Sequence, residues 1–375
     1  MLIKMMRQNL KYSKRIVIKA GTSILTSKDG RIPEGPLERL GAQILNLMKA
    51  GKQIVLVSSG AIAFGMESVR LETRPREMPR LQACAAIGQG KLMHAYERFF
   101  SKHGLHTAQL LLTRDGLESR SRFLAARKTL EELFSFGALP IVNENDTIAT
   151  EEIAFGDNDV LSVQVAHLIQ ADLLILLSDV DGFYLQDGSR VRDVQSEEEI
   201  DHELMRHLKD TKKQKTVGGM KAKLAAARIA MRLGVPLAIV NGREKEGITK
   251  FLEGEDAGTI FTASRERKNA RKKWIAFSAA RRGALTVDLG AWEALQSKKR
   301  SLLPGGIIHV EGKFERGEVV ELKAANGRVF GRGVVNYSWR ELEQIAGKKT
   351  AEIHAVLGYK HHDEAVHRND LVIWS

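Results

Sequence analysis

Carboxylate and amide side chains are concentrated between Ile141 and Asp159, a stretch that reads IVNENDTIATEEIAFGDND and follows the apolar run GALPIV. A solvated loop, a cation site or a helix N-cap are the simpler interpretations, but a cap uses only one such side chain. Two polar clusters a dozen residues apart behind a buried strand indicate instead a pocket for an amine. The candidate residues are Asn143, Glu144, Asn145, Asp146, Asp157 and Asp159.

Two further candidates follow apolar runs nearer the N-terminus. Lys19 ends the run RIVIKA and precedes a small-residue turn, so it could face a ligand or could snorkel at a strand terminus. Ser58, Ser59 and Gly60 follow KQIVLV and could bind an anion at a helix N-terminus, or could form only a cap and a tight turn.

The segment LLSDVDGFY places Asp179 and Asp181 directly after an all-aliphatic run. These carboxylates could bind a metal, a ribose or a lysine, whereas Asp181 before Gly182 is also typical of a plain Asp-Gly turn. We interpret Asp181 as a turn residue and keep Asp179 as a functional candidate.

A basic, glycine-containing segment, KKQKTVGGMKAKLAAA, comes before a helical pattern. It predicts a flexible glycine pair leading into a helix, with Lys223 one turn in. Backbone N–H groups, the positive helix end and this lysine would then face a phosphate chain. A solvated lysine-rich loop is the alternative.

Other nucleotide and metal signatures are missing from the sequence. No P-loop motif, G-x-x-x-x-G-K-[ST], follows a strand. No dinucleotide-binding motif, G-x-G-x-x-G, lies at a strand-to-helix turn, since the glycines of AIGQGK lie within a helical pattern. The His residues and the single Cys show no zinc-ligand spacing.

The elements that must position these candidates alternate along the first 260 residues. The runs RIVIKA, KQIVLVS, HTAQLLLT, GALPIVN, ADLLILLSD and VPLAIVNG are too apolar to be half-exposed, which predicts strands buried on both faces. Amphipathic helical patterns separate them, as in the stripe Leu37, Leu40, Ile44 and Leu47. The alternation predicts an α/β fold with a mostly parallel central sheet sandwiched by helices, and a ligand site beyond the carboxyl ends of its strands.

The composition changes near the C-terminus. We predict a catalytic domain over 1–263, a basic linker over 264–274 and a small β-rich domain over 275–375. The last domain has short apolar runs, one helix in SWRELEQIAG, and a two-residue hairpin signal at Asn326–Gly327.

The net charge of +12 first suggests a nucleic-acid partner. Three windows, 1–15, 209–223 and 264–274, together carry +15, which leaves −3 for the remainder. The excess positive charge is therefore predicted to lie in an N-terminal tail and two loops, and not on a continuous basic face. A single cysteine, Cys84, excludes an internal disulfide, and no signal peptide or membrane-spanning run is present, so a cytoplasmic protein without a membrane partner is predicted.

The motifs KAGTSILT, SSGAIAFG, PIVNENDTIATEEIAFGDND, LLSDVDGFY and GGMKAKLAAA occur in an order and spacing that resemble the glutamate 5-kinases (γ-glutamyl kinases) of the amino acid kinase superfamily. The resemblance runs over nearly the whole chain. LLPGGIIHVEGKFERGEVVEL and LGYKHHDEAVHRNDLVI resemble a PUA domain. The implied fold is therefore the amino acid kinase fold followed by a PUA-like domain.

The resemblance implies transfer of the ATP γ-phosphoryl group to the side-chain carboxylate of L-glutamate, the first step of proline synthesis, with Mg²⁺ bridging the phosphate oxygens. Lys19, Lys223 and Asp179 are then the expected catalytic residues, with Asp179 lying between the two lysines. The expected glutamate-binding residues are Ser59, Asp146, Asn158, Asn143 and Asp157. The expected ATP-binding residues are Lys19, Ser178, Asp179, Val217, Gly218, Gly219, Met220, Lys221, Ala222 and Lys223.

The chain departs from the family pattern where Val217 replaces a threonine and Lys221 replaces a small polar residue. The family also implies feedback inhibition by proline and a homo-oligomer, and the labile acyl phosphate product suggests hand-over to a glutamate-5-semialdehyde-forming reductase. Two rival functions are a superfamily kinase for another substrate, such as aspartate or N-acetylglutamate, and an RNA-binding PUA protein. Residues 275–375 carry fifteen basic and twelve acidic side chains, which is a weak footprint for phosphate binding.

Overall fold

The chain folds into two compact units, one formed by residues 1–114 and 125–267 and the other by residues 115–124 and 268–375. The predicted linker over 264–274 lies outside the described residues, and the predicted domain bounds stay a prediction. The computed structural model describes residues 7, 9–26, 33–113, 116–117, 119–148, 157–205, 214–262, 275, 281–298 and 300–374. It describes the backbone alone for residues 120, 157, 201–203, 214–218, 281 and 298.

An eight-stranded sheet forms the centre of the first unit, in the order β3-β4-β2-β1-β5-β9-β10-β8. The six strands from β3 to β9 are parallel, β10 is antiparallel to β9, and β8 is parallel to β10. These strands are β1 (Arg15–Ala20), β2 (Gln53–Ser58), β3 (Thr107–Leu112), β4 (Leu139–Glu144), β5 (Leu173–Ser178), β8 (Asp193–Val194), β9 (Leu237–Asn241) and β10 (Thr259–Phe261). A separate two-stranded hairpin consists of β6 (Phe183–Tyr184) and β7 (Arg190–Val191).

Helices alternate with the strands along the chain, as the sequence pattern predicted. They are α1 (Thr22–Leu25), α2 (Glu34–Lys49), α3 (Ala61–Ser68), α4 (Met78–Ser101), α5 (Arg120–Ser135), α6 (Asp157–Leu168), α7 (Gln214–Leu233) and α8 (Gly247–Leu252). The predicted stripe on α2 is buried in the core of the unit, and Gly51 follows the helix with a φ of 79°. The mostly parallel α/β sheet predicted from the buried runs is thereby confirmed.

The strand β3 differs from the prediction that all six runs are buried on both faces. Residues of β3 are half-buried or exposed, and Leu111 is 39% exposed. β3 lies at the edge of the sheet with β4 as its only strand neighbour in the described part of the chain. An apolar run in the sequence therefore identified a strand but not its place in the sheet.

Helices α3 and α4 pack so closely that side chains are excluded at their contact. A Cβ atom added to Gly65 would lie 1.8 Å from the carbonyl oxygen of Cys84, and one added to Gly88 would lie 1.8 Å from that of Ala61. Since α3 follows the end of β2, this contact brings the middle of α4 toward the carboxyl ends of the strands.

The second unit contains a five-stranded sheet in the order β12-β11-β13-β14-β15. Its strands are β11 (Arg281–Val287), β12 (Ile307–Gly312), β13 (Val319–Ala324), β14 (Val329–Val335) and β15 (Val366–Ile373). Its helices are α9 (Leu289–Lys298), α10 (Trp339–Ile345) and α11 (Ile353–Leu357), where the sequence predicted only α10. The predicted hairpin joins β13 to β14, but its connection has four residues, because β13 ends at Ala324 and β14 begins at Val329.

No helix in the described part of the chain is long and apolar enough to cross a membrane.

We expect Gly88→Ala to destabilise the protein, because the added methyl group meets backbone atoms of α3 that cannot move aside as a side chain could. Overpacking of this kind costs about 1–3 kcal/mol of the free energy of unfolding. Gly90→Ala on the same helix is the matched control, since a Cβ there meets nothing within 4 Å and alanine is the better helix former. Chemical denaturation of both variants checks this, and equal midpoints would contradict the close contact between α3 and α4.

Candidate active site

The candidate residues meet at one edge of the sheet. Lys19, Ser58, Asn143 and Ser178 are the last or next-to-last residues of the adjacent strands β1, β2, β4 and β5. Because these strands are parallel, their carboxyl ends lie at the same edge. Helix α6 begins at Asp157 and contributes Asn158 and Asp159 to this edge, and α7 contributes Lys223.

Two lysines share one buried carboxylate. Nζ of Lys19 lies 2.5 Å from Oδ1 of Asp159, and Nζ of Lys223 donates to Oδ2 of the same residue at 3.3 Å. The side chains are 6%, 12% and 1% exposed for Lys19, Lys223 and Asp159. The arrangement has two basic groups and one acidic group, and it connects β1, α6 and α7.

The electrostatic environment of Lys19 works against its charge. Burial lowers the pKa of Lys19, the nearby Lys223 lowers it further, and Asp159 raises it. A charge inside a protein is tolerated when it is paired and hydrogen-bonded. Asp159 is thus the group that keeps an ammonium ion stable beside a second ammonium ion.

The expectation that Asp179 lies between the two lysines is wrong, because Asp159 occupies that position. Asp179 follows β5 as an exposed residue and accepts a hydrogen bond from the buried Ser178 at 3.3 Å. The sequence predicts Asp159 as a residue of the amine pocket instead. A buried lysine in a strand signals that a counter-ion is needed, but it does not indicate which of several acidic residues supplies it.

A chain of amide hydrogen bonds continues from Asn158, the neighbour of Asp159. Nδ2 of Asn158 donates to Oγ of Ser59 at 2.9 Å and to Oδ1 of Asn143 at 3.0 Å. Nδ2 of Asn143 donates in turn to Oε1 of Gln89 at 2.8 Å. These contacts hold the side chain of Asn158 against Ser59 and Asn143, and they leave its buried Oδ1 without a partner in the described part of the chain.

A cavity of about 260 Å³ lies beside this chain of amides. It is lined by Ala61, Ala85, Ala86, Gln89, Gly90, Leu111, Glu144, Asn145, Asp146 and Thr147. Three of the predicted polar residues, Glu144, Asn145 and Asp146, thus come together at one cavity. Asp146 also acts electrostatically on Arg74, where it opposes the lowering of the Arg74 pKa by burial.

Helix α4 supports the site at a second point, through Tyr96. This residue is fully buried, and its hydroxyl hydrogen-bonds Oγ of Ser58 at 2.8 Å, while Ser58 donates to the carbonyl oxygen of Ser59 at 3.1 Å. Burial raises the pKa of Tyr96, so its hydroxyl stays protonated as a donor. The sequence motifs do not identify Gln89 or Tyr96 as site residues. Their seven-residue spacing, which puts both on one face of a helix, was the available signal.

The glycine pair at 218–219 lies within helix α7, which begins at Gln214. The prediction of a glycine-rich loop with Lys223 one turn into the helix is therefore wrong for residues 214–223. The surrounding lysine, glutamine, methionine and alanine residues favour helix strongly enough to offset a cost of about 1 kcal/mol per glycine. Gly219 and Lys221 are exposed, while the side chains of Asp157 and Val217 and the basic residues before Gln214 lie outside the described residues.

Asp181 stabilises the β6–β7 hairpin that follows Asp179. It accepts hydrogen bonds from the hydroxyl of Tyr184 and from Nη1 of Arg190, both at 2.5 Å. Arg190 also contacts Asp256 at 2.6 Å. The interpretation of Asp181 as a structural turn residue is consistent with these contacts.

Metal binding by protein side chains alone has no support in the described residues, where no three His, Cys, Asp or Glu side chains are grouped to hold an ion. Both oxygens of Asp159 already face lysines. The exposed carboxylate of Asp179 is the remaining acidic group at the end of β5.

Comparisons with known proteins agree with this geometry. A model of the amino acid kinase family matches residues 14–241, and a model of the PUA domain matches residues 283–357. A glutamate 5-kinase of Moorella thermoacetica is 44% identical over 370 residues, which cover 98% of each chain. A glutamate 5-kinase of Geobacter sulfurreducens is 44% identical over 363 residues, which cover 96% of this chain and 97% of that one.

A solved structure of a Giardia carbamate kinase shares the fold, with a TM-score of 0.50 and 18% identity, over 67% of this chain and 99% of that chain. Its likeness concerns the fold of the catalytic unit alone. The extent and identity of the matches to the bacterial relatives decide the family. The chain belongs to the amino acid kinase family and, within it, to the glutamate 5-kinases.

Proposed function

We propose that the protein transfers the γ-phosphoryl group of ATP to the side-chain carboxylate of L-glutamate, giving L-glutamyl 5-phosphate for proline biosynthesis. The observation that carries the proposal is the pair of lysines held by Asp159 next to the amide chain and its cavity. The near full-length similarity to glutamate 5-kinases supports the same substrates.

The nucleophile needs no general base. The side-chain carboxylate of glutamate has an unperturbed pKa of about 4.3 and is ionised at neutral pH. The difficulty is to bring this anion against the anionic phosphates of ATP. Catalysis therefore consists mainly of positioning and of stabilising the charge on the transferring group.

In this proposal Lys19 and Lys223 stabilise the charge on the transferring phosphoryl group. The two lysines are far apart in the sequence but contact the same carboxylate. Each ammonium group has further N–H groups besides those that face Asp159. Two fixed cations would face the developing charge without any rearrangement of solvent. Lys19, Lys223 and Asp179 remain the proposed catalytic residues, and Asp159 is added as the residue that positions the lysines.

Glutamate binding is assigned to Ser59, Asn143, Asp146, Asp157 and Asn158. The buried Oδ1 of Asn158 is an acceptor without a partner in the described residues, and Asp146 lines the cavity. Both could accept hydrogen bonds from the substrate ammonium group. The cavity volume of about 260 Å³ is sufficient for an amino acid.

ATP is assigned to Lys19, Ser178, Asp179 and residues 217–223, and it enters as its Mg²⁺ complex. Mg²⁺ usually keeps several waters and few protein ligands, and it neutralises phosphate charge. Among the described acidic residues, Asp179 would interact with the hydrated ion in this proposal, since it is exposed and the oxygens of Asp159 already face lysines.

Proline as a feedback inhibitor, a reductase that receives the acyl phosphate, a homo-oligomeric state and a cytoplasmic location stay predictions. Binding of nucleic acid by the PUA-like domain stays an alternative role for that domain.

The direct test is a phosphate-transfer assay with ATP and Mg²⁺ that compares L-glutamate, L-aspartate and N-acetylglutamate. We expect efficient turnover of glutamate alone, because an acetylated amine lacks the ammonium group and aspartate places its carboxylate one methylene short. A clear preference for either competitor would reject the proposed substrate. Absence of kinase activity together with salt-dependent RNA binding would favour the RNA-binding alternative.

We expect Asp159→Asn to lower kcat by about 100-fold or more, because the loss of one preorganised electrostatic contact has an effect of this size in other enzymes. Since Asp159 raises the pKa of Lys19, its removal lowers that pKa, and the alkaline limb of the kcat profile shifts to lower pH. Glu311→Gln, which neutralises another lysine-paired carboxylate, is the control. A pH profile of kcat measures both effects. An unshifted alkaline limb with normal kcat would contradict the role of Asp159.

Asp146→Ala is expected to raise the KM for glutamate by about 10- to 100-fold and to leave the KM for ATP nearly unchanged. A hydrogen bond to a charged group contributes about 1.5–3 kcal/mol, which corresponds to this range. Thr147→Ala, which removes an uncharged side chain from the same cavity, serves as the control. Steady-state kinetics with each substrate varied in turn provide the measurement. Equal changes in both KM values would argue against binding of the ammonium group by Asp146.

A further inference from the structure

Gln89 lies in the middle of α4, half-buried, where the chain of amides meets the cavity. Its Oε1 accepts a hydrogen bond from Nδ2 of Asn143 at 2.8 Å. The hydrogen bond that the structure shows for the Gln89 side chain uses Oε1 and not Nε2. Neither the sequence motifs nor the resemblance assigned a role to this residue.

The orientation of the Gln89 amide follows from its neighbours. Oδ1 of Asn143 accepts from the backbone N–H of Glu144 at 2.9 Å and from Nδ2 of Asn158 at 3.0 Å. The other end of the Asn143 amide must therefore be its NH₂ group, which needs an acceptor. Among the described residues this acceptor is Oε1 of Gln89, so the two N–H groups of the Gln89 amide are on Nε2, in a residue that lines the cavity.

An uncharged donor has a clear use in this cavity. Glu144 and Asp146 line the same cavity, where carboxylates favour an ammonium group over a second carboxylate, and Asp146 also interacts electrostatically with Arg74. A carboxylate of the same ligand needs N–H donors to offset that preference, and a hydrogen bond to an ionised acceptor is stronger than one between neutral groups. The amide of Gln89 supplies such donors at a fixed position, because its other end is held by Asn143.

We propose that Nε2 of Gln89 donates a hydrogen bond to a carboxylate oxygen of the bound amino acid, which makes Gln89 a substrate-binding residue. This inference rests on the proposed function, since it adds a contact to the glutamate substrate. The competing role is purely one of positioning, in which Gln89 only holds Asn143 through Oε1.

The two roles are separated by Gln89→Glu and Gln89→Leu. The glutamate side chain has nearly the same shape and keeps an acceptor for Asn143, but it replaces the donor with a negative oxygen. The leucine side chain removes both donor and acceptor. A substrate contact predicts that Gln89→Glu is at least as harmful as Gln89→Leu, whereas a positioning role predicts that Gln89→Glu is nearly normal.

The experiment is steady-state kinetics of the full-length chain with glutamate and MgATP, at several pH values, with melting temperatures as a check of folding. We expect Gln89→Glu to raise the KM for glutamate by about 10-fold or more, with less than about a twofold change in the KM for ATP. The effect should shrink as the pH falls, because protonation of the new carboxyl group restores a donor. Gln82→Glu, seven residues earlier on the same helix and outside the cavity lining, controls for the added charge.

A KM for glutamate within twofold of the wild-type value in Gln89→Glu would overturn the substrate contact, whatever Gln89→Leu does. An equal rise in both KM values would overturn it as well. If Gln89→Glu does not fold, Gln89→Leu must still raise the KM for glutamate selectively, and an unchanged value there would reject the inference. A wild-type chain that does not phosphorylate glutamate would instead reject the proposed function, and this inference with it.

Discussion

A buried carboxylate that holds two ammonium groups is the interaction on which the catalytic unit depends. Asp159 is 1% exposed, and both of its oxygens face lysines that are themselves largely removed from water. Removing one partner from a buried ion pair leaves an uncompensated charge, at a cost of about 3–5 kcal/mol. The strand β1 and the helices α6 and α7 are therefore tied together by the same contacts that place two cations at one edge of the sheet.

The first turn of helix α6 connects the residues assigned to the ATP phosphates with those assigned to glutamate. Asp159 holds the cations assigned to the phosphates, and its neighbour Asn158 bonds Ser59 and Asn143 on the side assigned to glutamate. Since consecutive residues of one helix cannot move independently, a displacement of this turn would change both sides together. Such coupling suits a reaction in which two anions must approach along a defined direction.

Helix α4 forms a second layer behind this edge. Its close contact with α3, made by Gly65 and Gly88, brings Gln89 to Asn143 and Tyr96 to Ser58. The amide and hydroxyl groups at the strand ends are thus held by partners on a rigid helix. Such support is what keeps a polar side chain in one orientation before a ligand arrives.

The sequence by itself determined the alternation of strands and helices, the largely parallel sheet and the edge at which the polar residues collect. Those features follow from local burial patterns and from the directions of the strands. Only the tertiary structure decided that Asp159 and not Asp179 pairs with the lysines, that β3 lies at the sheet edge, and that Gln89 meets Asn143. These are contacts between residues that are distant in sequence, and a one-dimensional pattern records that a buried charge needs a partner without recording which residue approaches it.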